Sequence, residues 1–184
     1  MILPIFAYGQ PVLKETGTDI DKDYPKLEDL LKNMWQTMYN ANGVGLAAPQ
    51  IGRSIRLFMV DTVQMQEEGE EDKGIKKVFI NARKIEEGGD EWPYEEGCLS
   101  IPDVRGDVNR PAQIRLRWQD ENFAEHEEVF SGLNARVIQH EYDHIEGLLF
   151  TEKLKPVKRR MVKRKLDKIK KGKISPDYKM KFVQ

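Results

Sequence analysis

The chain has 184 residues, 39% hydrophobic and 33% charged, which supports one sizeable core and is short for two. No apolar run approaches membrane-span length, and Met1-Ile2-Leu3-Pro4 lacks the basic start and apolar middle of a signal peptide, so a cytoplasmic protein with no membrane attachment is expected. The net charge of -1 hides an asymmetry: from Thr151 onward 14 Lys and Arg stand against three acids, leaving +11 there and -12 on the first 150 residues. The expected organisation is an acidic body, 1–150, with a basic extension of the same domain, 151–184, whose charge suits a polyanionic partner.

In chain order, Ile2 to Leu13 contains Tyr8-Gly9-Gln10-Pro11, a turn or irregular segment to which no chemistry is assigned. From about Tyr24 to Asn42, Leu27, Leu30, Leu31, Met34, Trp35 and Met38 recur at steps of three and four, which predicts a helix with Pro25 in its first turn and Gly43 as its stop. Gly43-Val44-Gly45-Leu46-Ala47-Ala48-Pro49-Gln50 allows the backbone to approach something closely. It follows a helix and lacks a third glycine, so it is no dinucleotide fingerprint. It reads as a tight helix-to-strand loop, with Gln50 either a surface amide or a positioned one. Ile55 to Val63 predicts a strand, Gln64 to Gly74 a solvated acidic loop, and Val78-Phe79-Ile80 a second short strand. Gly88 and Gly89 read as an acidic turn. Cys98, the one cysteine, sits in Glu96-Gly97-Cys98-Leu99-Ser100, and a lone cysteine excludes an intramolecular disulfide and fits a reducing compartment. Ile114 to Trp118 alternates as a half-buried strand, and Asp120-Glu121-Asn122 turns into a partner containing Val129 and Phe130, with His126 at the surface. Ser131 predicts the N-cap of a helix running to about Glu146, and a last basic helix runs from Lys155 to about Lys171.

The chemistry centres on Gln139-His140-Glu141-Tyr142-Asp143-His144. Histidines four residues apart share one helical face and can reach one cation, while Glu141 leans toward the same point as a general base. Leu133 and Val137 make the same side of the helix apolar, so a buried site is expected. A catalytic metal of this kind needs a third protein ligand and one open position. The chain matches His-Glu-x-x-His-x-x-Gly-x-x-His through Gly147 but has Phe150 in place of its last histidine, and downstream acids are confined to Glu152, Asp167 and Asp177 in the lysine-rich tail. Cys98 is the remaining strong candidate, as a thiolate.

Taken together, Gly43 to Gln50, Glu96-Gly97-Cys98-Leu99-Ser100 and Gln139 to His144 resemble, in order and spacing, the three motifs of the peptide deformylases. The resemblance runs from Tyr8-Gly9-x-Pro11-Val12-Leu13 to Phe150. It implies an α+β fold, antiparallel sheets packed around a metal-bearing helix, and removal of the N-formyl group from formyl-methionyl nascent peptides with release of formate. It also implies Cys98, His140 and His144 as ligands of one ion, Fe(II) natively, with Zn(II), Ni(II) or Co(II) able to take its place. By the same resemblance Glu141 is the base, the Gln50 amide and the Leu99 backbone N–H hold the oxyanion, and Gly45 and Arg105 bind the peptide. Glu96 is expected to pair with Arg105 or Arg110. The tail suits ribosomal RNA phosphate, and a monomer with no DNA partner is expected. The competing readings are a zinc endopeptidase on the same helix and an RNA- or ribosome-binding protein whose metal is structural.

Overall fold

The computed structural model describes residues 1–184 and is an α+β fold. Its strands are β1 (Ile5–Phe6), β2 (Gly45–Ala47), β3 (Leu57–Asp61), β4 (Lys76–Cys98), β5 (Ile101–Gln119), β6 (Glu125–Ser131) and β7 (Met180–Lys181). Its helices are α1 (Leu27–Asn40), α2 (Gly132–Ile145) and α3 (Pro156–Lys170). Strands β2-β3-β4-β5-β6 form one antiparallel sheet, and β1 pairs with β7 in a parallel two-stranded ribbon. No helix is long and apolar enough to cross a membrane.

The sheet bends because β4 and β5 are long and carry bulges between Ile80 and Arg83, Lys84 and Glu86, and Gly88 and Glu91. Helix α2 packs against β2, β3, β5 and β6. Its residues Ala135, Ile138, Tyr142 and Ile145 recur at helical spacing and meet Phe58, Phe79, Ile114, Leu116, Trp118 and Phe130 from the strands. Met34 and Met38 of α1 pack on the other side of the sheet with Leu46, Leu57 and Met59. A third cluster joins Ala7 and Leu13 to Ile101, Val104 and Val108 of β5 and to Val162 and Ile169 of α3.

Several elements differ from the sequence expectation. Helix α1 begins at Leu27, because Lys26 is left-handed (φ 55°) and leaves Pro25 outside the first turn. The glycine-alanine run forms a short strand, β2, and a 3-10 turn over Ala48–Ile51. Val78 to Ile80 belongs to a strand of 23 residues, and Gly88-Gly89 is no turn. Gly88 is paired with Gln113 and Gly89, at φ 76°, occupies a bulge, so a partner running the whole length of β5 overrides the local turn signal. Ser131 does precede α2, but it is still paired with Gln113 as the last residue of β6 and its side chain makes no capping bond.

Candidate metal centre

One turn separates His140 from His144 on α2, and their rings stand 5.1 Å apart, edge to face. Cys98 ends β4 where the β4–β5 hairpin closes through Leu99 and Ser100, with Cys98 opposite Ile101. This hairpin end meets α2, so that one donor atom from each of Cys98, His140 and His144 lies within 4.8 Å of the others. Cys98 Sγ is 3.4 Å from His144 Nε2, the separation of two ligands on one tetrahedral ion with bonds of about 2.0–2.3 Å. His140 pairs through Nδ1 with Glu96 Oε1 at 2.9 Å, which fixes the ring and leaves the other nitrogen for the site.

The electrostatics fit a cation. Burial, helped by the charges of His140 and Arg110, drives the His144 imidazole well below its ordinary value and keeps a lone pair available. Burial opposes a proton on His140 too, yet Cys98, Glu96 and Glu141 raise it well above its ordinary value. Negative surroundings that favour a proton there equally favour a metal ion. Burial pushes the Glu141 carboxyl up to about 7 against the attraction of His140, and its Oε2 is buried with no hydrogen-bond partner. A buried carboxyl with an unpartnered oxygen facing a cavity is a candidate for acid–base chemistry.

Behind Cys98 and the two histidines lies a buried ionic cluster. Glu96 accepts Arg110 Nε and a guanidinium NH2 at 2.8 and 3.0 Å and Arg136 at 3.1 Å, and Arg110 also donates to Asp143 at 2.8 Å. Burial alone would raise Glu96, but hydrogen bonds and charge from His140 and Arg110 hold it far below the usual carboxylate range. Of the two partners expected for Glu96, Arg110 takes the role and Arg105 does not. Arg105 is exposed beside Gly97 at the mouth of the cavity.

That cavity, of about 430 Å³, is lined by Gly45, Gln50, Cys98, Leu99, Arg105, His140 and Glu141 among others, so all but His144 of the expected site residues border it. Gln50 is buried and oriented: its Oε1 accepts the Ala47 N–H at 2.9 Å, and its Nε2 reaches Ser100 Oγ at 3.2 Å and Cys98 Sγ at 3.5 Å. Gly45 faces Glu141 so closely that a Cβ there would lie 2.5 Å from Oε1.

Sequence reasoning missed three wall residues. Arg136 lies over the Trp92 and Tyr94 rings, 4.7 and 5.7 Å from their centroids, and donates to the Trp92 and Val108 carbonyls at 2.6 Å each. Its place on the same face as His140, four residues on, was a usable signal. Tyr94 falls two residues before Glu96 on the same face of β4, a weaker one. Tyr178, beyond α3, donates its hydroxyl to the Leu99 carbonyl at 2.6 Å, and no local pattern announced it.

A family profile described as Polypeptide deformylase matches residues 2–160. A peptide deformylase of Christiangramia forsetii is 58% identical over 189 residues, covering 99% of this chain and 96% of that protein. One from Flavobacterium psychrophilum is 54% identical, covering all of this chain and 98% of that protein. Among solved structures, a peptide deformylase from Legionella pneumophila superposes with a TM-score of 0.80 at 36% identity, over 94% of this chain and 98% of that one. Likeness of this extent, in a chain whose helix and hairpin bring a thiol and two imidazoles together beside a buried carboxylate, makes it a member of the peptide deformylase family.

Proposed function

We propose that this chain hydrolyses the N-formyl group of formyl-methionyl nascent peptides and releases formate. The observation that carries the reading is the meeting of Cys98, His140 and His144 donor atoms within 4.8 Å of one another, beside the cavity that Cys98, His140 and Glu141 line. These three residues would hold one divalent ion, which when bound activates water and polarises the formyl carbonyl.

The chain's own groups supply the rest. Glu141 takes the water's proton and passes it to the departing amine, the two transfers that its buried carboxylate, with Oε2 unpartnered at the cavity, is placed to perform. The Gln50 amide, held by the Ala47 N–H and Ser100, and the Leu99 N–H stabilise the oxyanion, each worth roughly 3 kcal/mol in the transition state. Strand β2 is an edge of the sheet, and Gly43, Val44 and Gly45 border the cavity, so an extended peptide can align along it through backbone hydrogen bonds. Arg105 at the rim suits the peptide's carbonyls or carboxylate. Phe150, where an endopeptidase of the extended motif would carry its third histidine, is buried with its ring 5.9 Å from that of His140, which disfavours that alternative.

The test is formate release from a formyl-Met peptide by protein purified without oxygen. Robust release that Glu141→Gln abolishes supports the proposal; cleavage of unformylated proteins without formate release refutes it. Fe(II) is the proposed native ion, since a thiolate with two imidazoles suits iron and softer metals, with Zn(II), Ni(II) and Co(II) as substitutes. The reading places the protein in the cytoplasm as a monomer, with 1–150 as catalytic body and 151–184 as an extension that contacts ribosomal RNA.

A further inference from the structure

The turn that joins Cys98 to Ile101 is held from both ends of the chain. The Tyr8 N–H donates to the Ser100 carbonyl at 2.9 Å, and the Tyr178 hydroxyl donates to the Leu99 carbonyl at 2.6 Å. Tyr178 lies outside residues 2–160, the part matched by the family profile, and yet it lines the same cavity as Gln50, Glu141 and Arg105.

Its position is built rather than incidental. After α3 the chain reverses at Gly172, left-handed at φ 64°, and returns to lay β7 beside β1, Met180 opposite Ile5 and Lys181 opposite Phe6. Gln10 Nε2 then clasps the Lys181 and Phe182 carbonyls at 3.2 and 2.7 Å, and Met180 and Phe182 pack on the third core cluster. Two residues before Met180, Tyr178 is thereby fixed over the hairpin end. Burial first, and then the electrostatics of Cys98, Asp103 and Asp177, raise its phenol above the ordinary range.

We propose that Tyr178 is a positioning residue for the reaction. Its hydroxyl anchors the Leu99 carbonyl, which holds the Leu99–Ser100 peptide plane and so steadies the two-residue turn whose Leu99 N–H belongs to the site. The ring forms part of the wall that the peptide meets. The basic extension therefore serves the catalytic cavity as well as any polyanion, because the segment that carries the charge also delivers this side chain. The inference rests on the deformylase reading for its reaction.

The experiment compares wild type with Tyr178→Phe and Tyr178→Ala in the metal-loaded full chain. Tyr178→Phe keeps the ring and loses the anchor: kcat for a formyl-Met peptide falls about tenfold, KM stays within twofold and the melting temperature is unchanged. In the zinc-loaded protein, exchange of the Tyr8 amide, which donates to Ser100 of the same turn, quickens, a readout independent of turnover. Tyr178→Ala also removes the wall, and KM rises as well. A Tyr178→Phe protein with kcat within twofold of wild type overturns the inference while leaving the deformylase reading intact, as does a fall in kcat with Tyr8 amide exchange unaltered. A wild type that releases no formate overturns both.

Discussion

The contact between Gly45 and Glu141 sets the tightest tolerance in the site. A methyl group on Gly45 would meet the carboxylate at 2.5–2.8 Å, so Gly45→Ala must displace the base or the strand. We expect kcat to fall about a hundredfold, since a misplacement of roughly an ångström costs that much, with the melting temperature little changed. A variant of wild-type kcat would show that Glu141 is not held where its role requires. Glu96 offers a second test. Its folded pKa is depressed, so its contribution to stability is complete above the unfolded value of about 4.3 and is lost as pH falls through the folded value. Glu96→Gln leaves Arg110 and Arg136 buried without their countercharge and should lose about 3 kcal/mol at pH 7, a deficit that narrows towards pH 3. Urea unfolding at the two pH values measures it, and a deficit independent of pH would argue against the carboxylate as its source. At this scale the sequence was legible wherever geometry is local. Four residues along a helix bring His140 and His144 together whatever surrounds them, whereas Tyr178 depends on where a distant strand lands.

At the scale of elements, the centre couples the β4–β5 hairpin to α2, since Cys98 comes from one and both histidines from the other. An ion bound to all three is a crosslink that the unfolded chain lacks. Removing it with a chelator should cost about 3 kcal/mol, roughly 6–12 °C in melting temperature for a chain of this length. Cys98→Ala should melt at the lower temperature and ignore the chelator; an equal response from that variant would exclude the thiol as a ligand. Helix α2 itself was readable from the apolar side that Leu133 and Val137 give it. The reach of β4 was not, because its middle stretch, from Arg83 to Glu91, is exposed and charged and carries two glycines. Only pairing with β5 keeps that stretch extended, and pairing is a property of two segments rather than one.

Across the whole molecule, the division of charge into -12 and +11 makes a strong dipole. Most of α3 is exposed and basic, with Val157 and Met161 also open to solvent, while Val162 and Ile169 seat it on the core. If the extension contacts ribosomal RNA as proposed, with six or more phosphates engaged, that affinity drops by about a thousandfold between 50 and 200 mM salt. Binding that ignores salt would remove the electrostatic account. The parallel pairing of residues 5–6 with 180–181 bears also on the order of events during synthesis. A strand made at the start must wait for one made some 175 residues later, so this chain reaches its finished form only after translation has delivered that last segment. Until then the Cys98–Ile101 turn lacks one of its two clamps, and newly made copies should acquire full activity later than they acquire their helices.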